Sequence, residues 1–213
     1  MFIGLDLGTS HLKGIVIDDA QNICAEASFP LNVERPKNSW VEQDPNDWIV
    51  ATENVMASLS VQVKLDQVKA IGLSGQMHGA TILDQNGNVL RPCILWNDTR
   101  SFEEASYLDS KAIFRDLTGN IVFPGFTAPK IAWIKKHEPK IFDQISKVLL
   151  PKDYLRFWLS GEYVAEMSDA AGTSWLDVKK RDWSDDLLAA TGLDRSQMPR
   201  LVEGSEISGL LKG

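Results

Sequence analysis

Three short apolar runs open the chain, Phe2–Leu7, Leu12–Ile17 and Ile23–Phe29, separated by turn residues. Runs of this length, broken by turns, pair as strands rather than wind into helices. The first turn, "DLGTS", contains Gly8 and joins the first two runs as a hairpin, and the third run extends the sheet. A helix follows. In "DPNDW", Asp44 suits the N-cap, Pro45 the first helical position, and Asp47 the first turn, where a carboxylate meets the positive end of the helix dipole. Trp48, Ala51, Val55 and Leu59 recur at helical spacing, so one face of this helix packs on the sheet.

Val68–Leu73 is a compact apolar run that ends in the small and polar cluster "SGQMHGA", as expected of a buried strand that delivers a loop at its carboxyl end. "DQNGN" predicts a tight hairpin turn at Asn86 and Gly87. Ile94–Trp96 runs into "NDTR", a third strand-to-polar junction. Beyond it the chain is more helical. Thr127 is predicted to cap a helix that Pro139 closes, Lys147–Leu150 a short strand, Gly161 the end of a second helix, and Ser184 and Gly192 the two ends of a third. The order β-β-β-α-β-α, with a hairpin feeding parallel strands, predicts an α/β fold, a mixed sheet with helices on both faces. Ligands in such sheets gather at the carboxyl ends of the strands.

Composition narrows the function. The chain has 213 residues, 44% of them apolar and 24% charged, which is globular composition, and the net charge of −7 argues against a nucleic-acid partner. No apolar run approaches the ~20 residues of a membrane span. Asp6 interrupts the first run too early for a secretory signal, so the chain reads as cytoplasmic with no membrane partner. Cys24 and Cys93 lie far apart, without CxxC spacing or nearby histidines, and read as small buried apolar residues rather than a disulfide or zinc site.

The candidate site residues come from the three junctions. In the opening turn, backbone N–H groups beside Gly8, the hydroxyls of Thr9 and Ser10, and the charge of Lys13 suit an anion. Asp6 would repel a phosphate there unless a divalent cation lay between them, which points to Mg²⁺. The same residues also suit a plain hairpin turn. In the second loop Gln76 and His78 can hydrogen-bond hydroxyl groups, although a loop histidine also serves structure. At the third, Asp98 and Arg100 can either face a ligand or pair with each other and cap the next helix.

Taken in order, "IGLDLGTS", "WVEQDP", "GLSGQMHGATILD", "ILWNDTR", "PGFTAPKIAWIKKHEP", "VLLPKDYLRFWLSGE" and "SDAAGTSWLDVKKRDWS" resemble the FGGY family of carbohydrate kinases over the whole chain. Gly125–His137 resembles the family's first signature, with Lys130 and Trp133 at its fixed positions. The resemblance implies a ribonuclease H-like, actin-like ATPase fold of two domains closing over a cleft, with residues 1–213 as the sugar-binding first domain. It implies ATP and Mg²⁺ as cofactors and D-xylulose as the sugar phosphorylated at its terminal hydroxyl, with a homodimer among the assemblies open to it.

Asp6 then falls at the family's Mg²⁺-associated acid, which makes it both the metal ligand and the catalytic residue of this half. Thr9, Ser10 and Lys13 fall at the phosphate-facing turn. Gln76, Met77 and His78 fall at the substrate loop, and Trp96, Asp98, Arg100 and Phe126 near the sugar pocket. The family's catalytic aspartate lies in a glycine-rich motif opening the second domain, and no such motif precedes Gly213. Asp169 is not that base, because "SDAAGTSW" resembles a segment inside the first domain. The tail "EGSEISGLLKG" lacks a closing element, so the chain reads as a first domain that is inactive alone. Two alternatives stay open: a sugar-binding module without catalysis, and a kinase of gluconate, ribulose or glycerol.

Overall fold

A computed structural model describes residues 1–212. The opening runs form β1 (Phe2–Leu7), β2 (His11–Ile17) and β3 (Ile23–Pro30), antiparallel neighbours in a sheet. A short β4 (Glu42–Gln43) then leads into α1 (Pro45–Ser60), where the Asp44 carboxylate accepts the Asn46 N–H and Pro45 occupies the first turn. The chain returns to the sheet as β5 (Ala70–Gly75), parallel to β1, giving the order β3-β2-β1-β5. The parallel step is what brings two loop-bearing strand ends, Leu7 and Gly75, side by side.

The alternation along β1 and β2 sends Leu5, Leu7, Leu12 and Val16 to one face, where they meet Trp48, Ala51, Val55 and Leu59 of α1. At Gly14 this contact is so close that a Cβ would lie 2.5 Å from Val55 Cγ1 and 3.1 Å from Leu59 Cδ1. The opposite face carries Asp6 and Lys13, paired across β1 and β2, and the partly exposed Phe2 and Ile15. The result is the mixed sheet with helices packed against it that the element order predicts.

The rest of the chain builds a second core. It runs through β6 (Thr81–Leu83), β7 (Cys93–Ile94), α2 (Phe102–Asp109), α3 (Ala112–Thr118), α4 (Thr127–His137), α5 (Pro139–Phe142) and β8 (Lys147–Leu149) to α6 (Pro151–Ser160), then β9 (Val164–Glu166), α7 (Met167–Ala171), β10 (Leu176–Asp177), β11 (Asp182–Trp183), α8 (Asp185–Thr191) and β12 (Arg200–Val202). Leu108, Phe114, Ile131, Ile134, Trp175 and Leu187 fill this core, whereas Tyr154 and Leu155 of α6 turn back to the first, against α1. No described helix is long and apolar enough to cross a membrane.

Several local expectations hold. Gly161 and Gly192 end α6 and α8 with positive φ, and the Ser184 hydroxyl accepts the Leu187 N–H. Others shift. Pro139 does not merely close α4 but starts α5, since proline fits a first helical turn. Asn86 and Gly87 turn the chain, yet Leu83 and Val89 meet only as an isolated bridge, because β6 takes β8 as its partner. Cys24 is exposed on β3 rather than buried, while burial drives the thiol of Cys93 up to a pKa of about 11.

Because α1 approaches the sheet so closely, Gly14→Ala should cost about 1–3 kcal/mol through overpacking. Urea denaturation is the measurement, and a change below about 0.5 kcal/mol would show that Val55 and Leu59 move aside freely.

Candidate functional site

Two loops leave adjacent parallel strands: residues 8–10 after β1, and residues 76–79 after β5. Asp6 lies on the open face in register with Lys13 on one side and Ser74 on the other, so a carboxylate, an ammonium and a hydroxyl form a row across three strands. Asp6 and Lys13 are exposed and make no side-chain ion pair among the described residues, while the exposed Ser10 hydroxyl lies 3.2 Å from His11 Nδ1. Among those residues no cluster of three metal-ligating side chains exists. Asp6 stands as a single open carboxylate, a hard oxygen donor of the kind magnesium takes.

The hydroxyl of Thr9 is committed elsewhere. It accepts the indole N–H of Trp96 at 3.0 Å and donates to Gln76 Oε1 at 3.3 Å. Gln76 is buried, and its amide nitrogen donates to Gln43 Oε1 at 2.7 Å. Gln43 in turn donates to the carbonyls of Thr9 and Asn32 at 2.7 and 2.9 Å and accepts the Trp48 indole N–H at 3.1 Å. Gln76 thus ties the two loops together from within instead of pointing into the cleft. Gln43, in the quoted "WVEQDP", builds the site from a buried position, and no local sequence pattern sets it apart from a solvent-facing glutamine.

Met77 and His78 line one surface cavity, and Trp96 is exposed at the end of its own strand. Met77 is 53% and Trp96 45% exposed, so they supply an apolar rim. His78 adopts φ +64°, in the left-handed region, and its ring lies 4.6 Å from the Phe126 ring. Gly172 makes the space: a Cβ there would lie 2.4 Å from His78 Cε1. Burial first, and then the Lys130 charge, bring the His78 pKa down to about 4, while the backbone of Gly172 opposes the shift. The imidazole is therefore neutral at pH 7 and able both to donate and to accept.

Asp98 and Arg100 lie under the site rather than in it. Asp98 is fully buried; its carboxylate accepts the Val41 N–H at 2.6 Å, the Arg100 N–H at 2.9 Å, and the Arg100 guanidinium at 2.7 Å. Arg100 also pairs with Glu42 at 2.7 Å and stacks 3.7 Å from the Trp40 ring. Asp98 and Arg100 pair with each other as one reading of "NDTR" had it, without capping α2, and the pair fastens the strap carrying Gln43. Thr127 likewise departs from expectation: it begins α4 without capping it, and its hydroxyl donates to the His78 carbonyl at 3.2 Å. Asp169 pairs with the buried Lys152 at 2.7 Å, and Lys152 also meets Asp153 at 2.9 Å.

A β1–β2 hairpin beside the parallel β5, with helices packed on the sheet, is the mixed α/β arrangement of an actin-like ATPase fold. The whole chain, residues 1–213, matches the N-terminal domain of the FGGY family of carbohydrate kinases, and the chain belongs to that family. A xylulose kinase from Escherichia coli (strain K12) is 54% identical over 212 residues, which make up 99% of this chain and 44% of that relative. The crystal structure of a xyloylose kinase from Brucella ovis superposes with a TM-score of 0.98 at 57% identity, covering 99% of this chain and 45% of the other. A gluconate kinase from Lactobacillus acidophilus gives a TM-score of 0.94 at 25% identity, again over 99% of this chain and 43% of its own. The chain therefore spans less than half the length of the relatives it matches.

The two depths of the site predict opposite costs. Asp98→Ala should destabilise the fold by about 3–5 kcal/mol, since it takes one of two carboxylates from a buried guanidinium and orphans the Val41 N–H, whereas the exposed Asp6→Asn should stay within about 0.5 kcal/mol. Equal losses in chemical denaturation would contradict the assignment of the two residues to different depths. The depressed pKa of His78 also sets a pH dependence. Between its folded value of about 4 and its ordinary 6.5 the unfolded chain binds the extra proton, so this contribution is complete above pH 6.5 and is lost as the pH falls toward 4. His78→Gln should flatten that part of the stability profile.

Proposed function

We propose that the chain is the sugar-binding part of a kinase that transfers the γ-phosphoryl group of ATP to the terminal hydroxyl of D-xylulose. The observation that carries the reading is the joining of the Asp6–Ser10 turn to the Met77–His78 loop on adjacent strands, in a chain 54% identical to a xylulose kinase over nearly its full length.

In this reading His78 binds sugar hydroxyls through its neutral ring, and Met77, Trp96 and Phe126 shape an apolar wall against the carbon skeleton. The free N–H groups near Gly8, with Ser10 and Lys13, face the anionic phosphates, where phosphoryl transfer needs positioning and charge neutralisation above all. Magnesium at Asp6 would supply charge neutralisation for the transferring group. Thr9 contributes its amide and orients Trp96, its hydroxyl being engaged. Accepting the proton of the attacking hydroxyl requires an open carboxylate near His78. The resemblance to the family implies that this carboxylate is an aspartate of the second domain; Asp169, beside His78, is paired with Lys152.

Two measurements test the proposal. Coupled ADP release should require D-xylulose, ATP and Mg²⁺ with the full-length parent, and should be absent with residues 1–213 alone; sugar-dependent ADP from the short chain, abolished by Asp169→Asn, would relocate the base. A panel of D-xylulose, D-gluconate, D-ribulose and glycerol decides the substrate, and a full-length parent that turns over none of them would leave a binding module. Within the parent, His78→Ala should weaken D-xylulose binding by about 1–3 kcal/mol in calorimetric titration, the usual consequence of losing a buried hydrogen-bond partner. Unchanged affinity in a folded variant would return His78 to a structural role.

A further inference from the structure

His78 holds its left-handed backbone without being glycine, a conformation that persists only where the surroundings impose it. What imposes it lies beneath the cleft. Lys130, on the first turn of α4, is fully buried, and its ammonium donates to the His78 carbonyl at 2.8 Å and to the Gly125 carbonyl at 2.5 Å. The Thr127 hydroxyl donates to the same His78 carbonyl. No carboxylate lies within ion-pairing distance of Lys130 among the described residues. Burial accordingly drives its pKa down to about 7, with Cys93 and Asp98 opposing the fall and Arg100 adding to it.

An ammonium buried without a counter-ion is costly, and an apolar side chain of the same length would fill the space without that cost. What the lysine adds is a set of donors aimed at two carbonyls. Those carbonyls belong to two separate walls of the site. One carries His78; the other precedes Phe126, whose ring packs on the imidazole, and its Gly125 sits so close to the Trp96 carbonyl that a Cβ would lie 2.4 Å from that oxygen. We propose that Lys130 is a positioning residue, which clamps the His78 and Gly125 carbonyls from below and so fixes the strained turn and the direction in which His78 meets the sugar. The effect on sugar binding rests on the function proposed above; the clamp itself does not.

The experiment uses the full-length parent with Lys130→Met, His78→Ala and the two combined, and has two readouts. In an NMR titration of the His78 ring, removing the buried charge should move the midpoint upward whether or not sugar binds there. In steady-state kinetics, Lys130→Met should raise KM for D-xylulose about tenfold with His78 present and less than about twofold in the His78→Ala background, with KM for ATP unchanged, because residues acting through one contact are not additive. An unmoved midpoint, or an equal rise in KM in both backgrounds while His78→Ala itself raises KM, overturns the clamp. Should His78→Ala leave KM unaltered, the sugar contact fails and a crystal structure of Lys130→Met decides the clamp: a residue 78 that keeps its left-handed φ and carbonyl direction overturns it. If Lys130→Met does not fold, Thr127→Val removes the other donor on the His78 carbonyl and should raise KM about threefold with the same dependence on His78; a rise equal in both backgrounds overturns the proposal.

Discussion

The buried amide of Gln43 is the point on which the site depends. A side-chain amide offers two donors and two acceptor positions, and all four are used: outward to the carbonyls of Thr9 and Asn32, inward from the Trp48 indole and the Gln76 amide. One side chain thus joins the opening turn, the exit of β3, the first turn of α1 and the loop after β5. Such a network is stabilising only when complete, since any orphaned member would be a buried polar group without a partner.

Gln43 can hold this position because the strap that carries it is itself fastened. Val41 donates to Asp98, Glu42 pairs with Arg100 and with Arg91, and the Arg100 guanidinium lies against the rings of both Trp40 and Trp133. Trp133 belongs to α4, as does Lys130. The helix bearing Lys130 and Trp133 thereby supports the strap from one side and the His78 loop from below. Loops held this way meet a ligand already shaped, which lowers the ordering cost of binding.

The local fold was legible in the residues. The three opening strands, the Asp44–Pro45 helix start, the buried stripe of α1 and the glycine ends of α6 and α8 all depend on neighbours a few positions away, so periodicity and capping chemistry reveal them. Where local rules misled, a distant partner won. Thr127 gave up its cap for the His78 carbonyl, and β6 paired with β8 across more than 60 positions rather than with the segment after its own turn.

The site divides along the same line. The sequence by itself determined that polar loops would gather at strand ends, that Asp6 and Lys13 would share one face of a hairpin, and, through its ordered motifs, the family. Only the tertiary structure decided which polar residues face the cleft and which lie under it. Gln76, Thr9, Asp98 and Lys130 read in sequence like any ligand-binding residue, yet three of them are buried and Thr9 partly so. The partners of Gln76, Trp96 and Lys130 lie 33, 87 and 52 positions away. A polar side chain in a loop takes its direction from whichever complementary group the fold brings within hydrogen-bond reach, and that group has no fixed spacing along the chain.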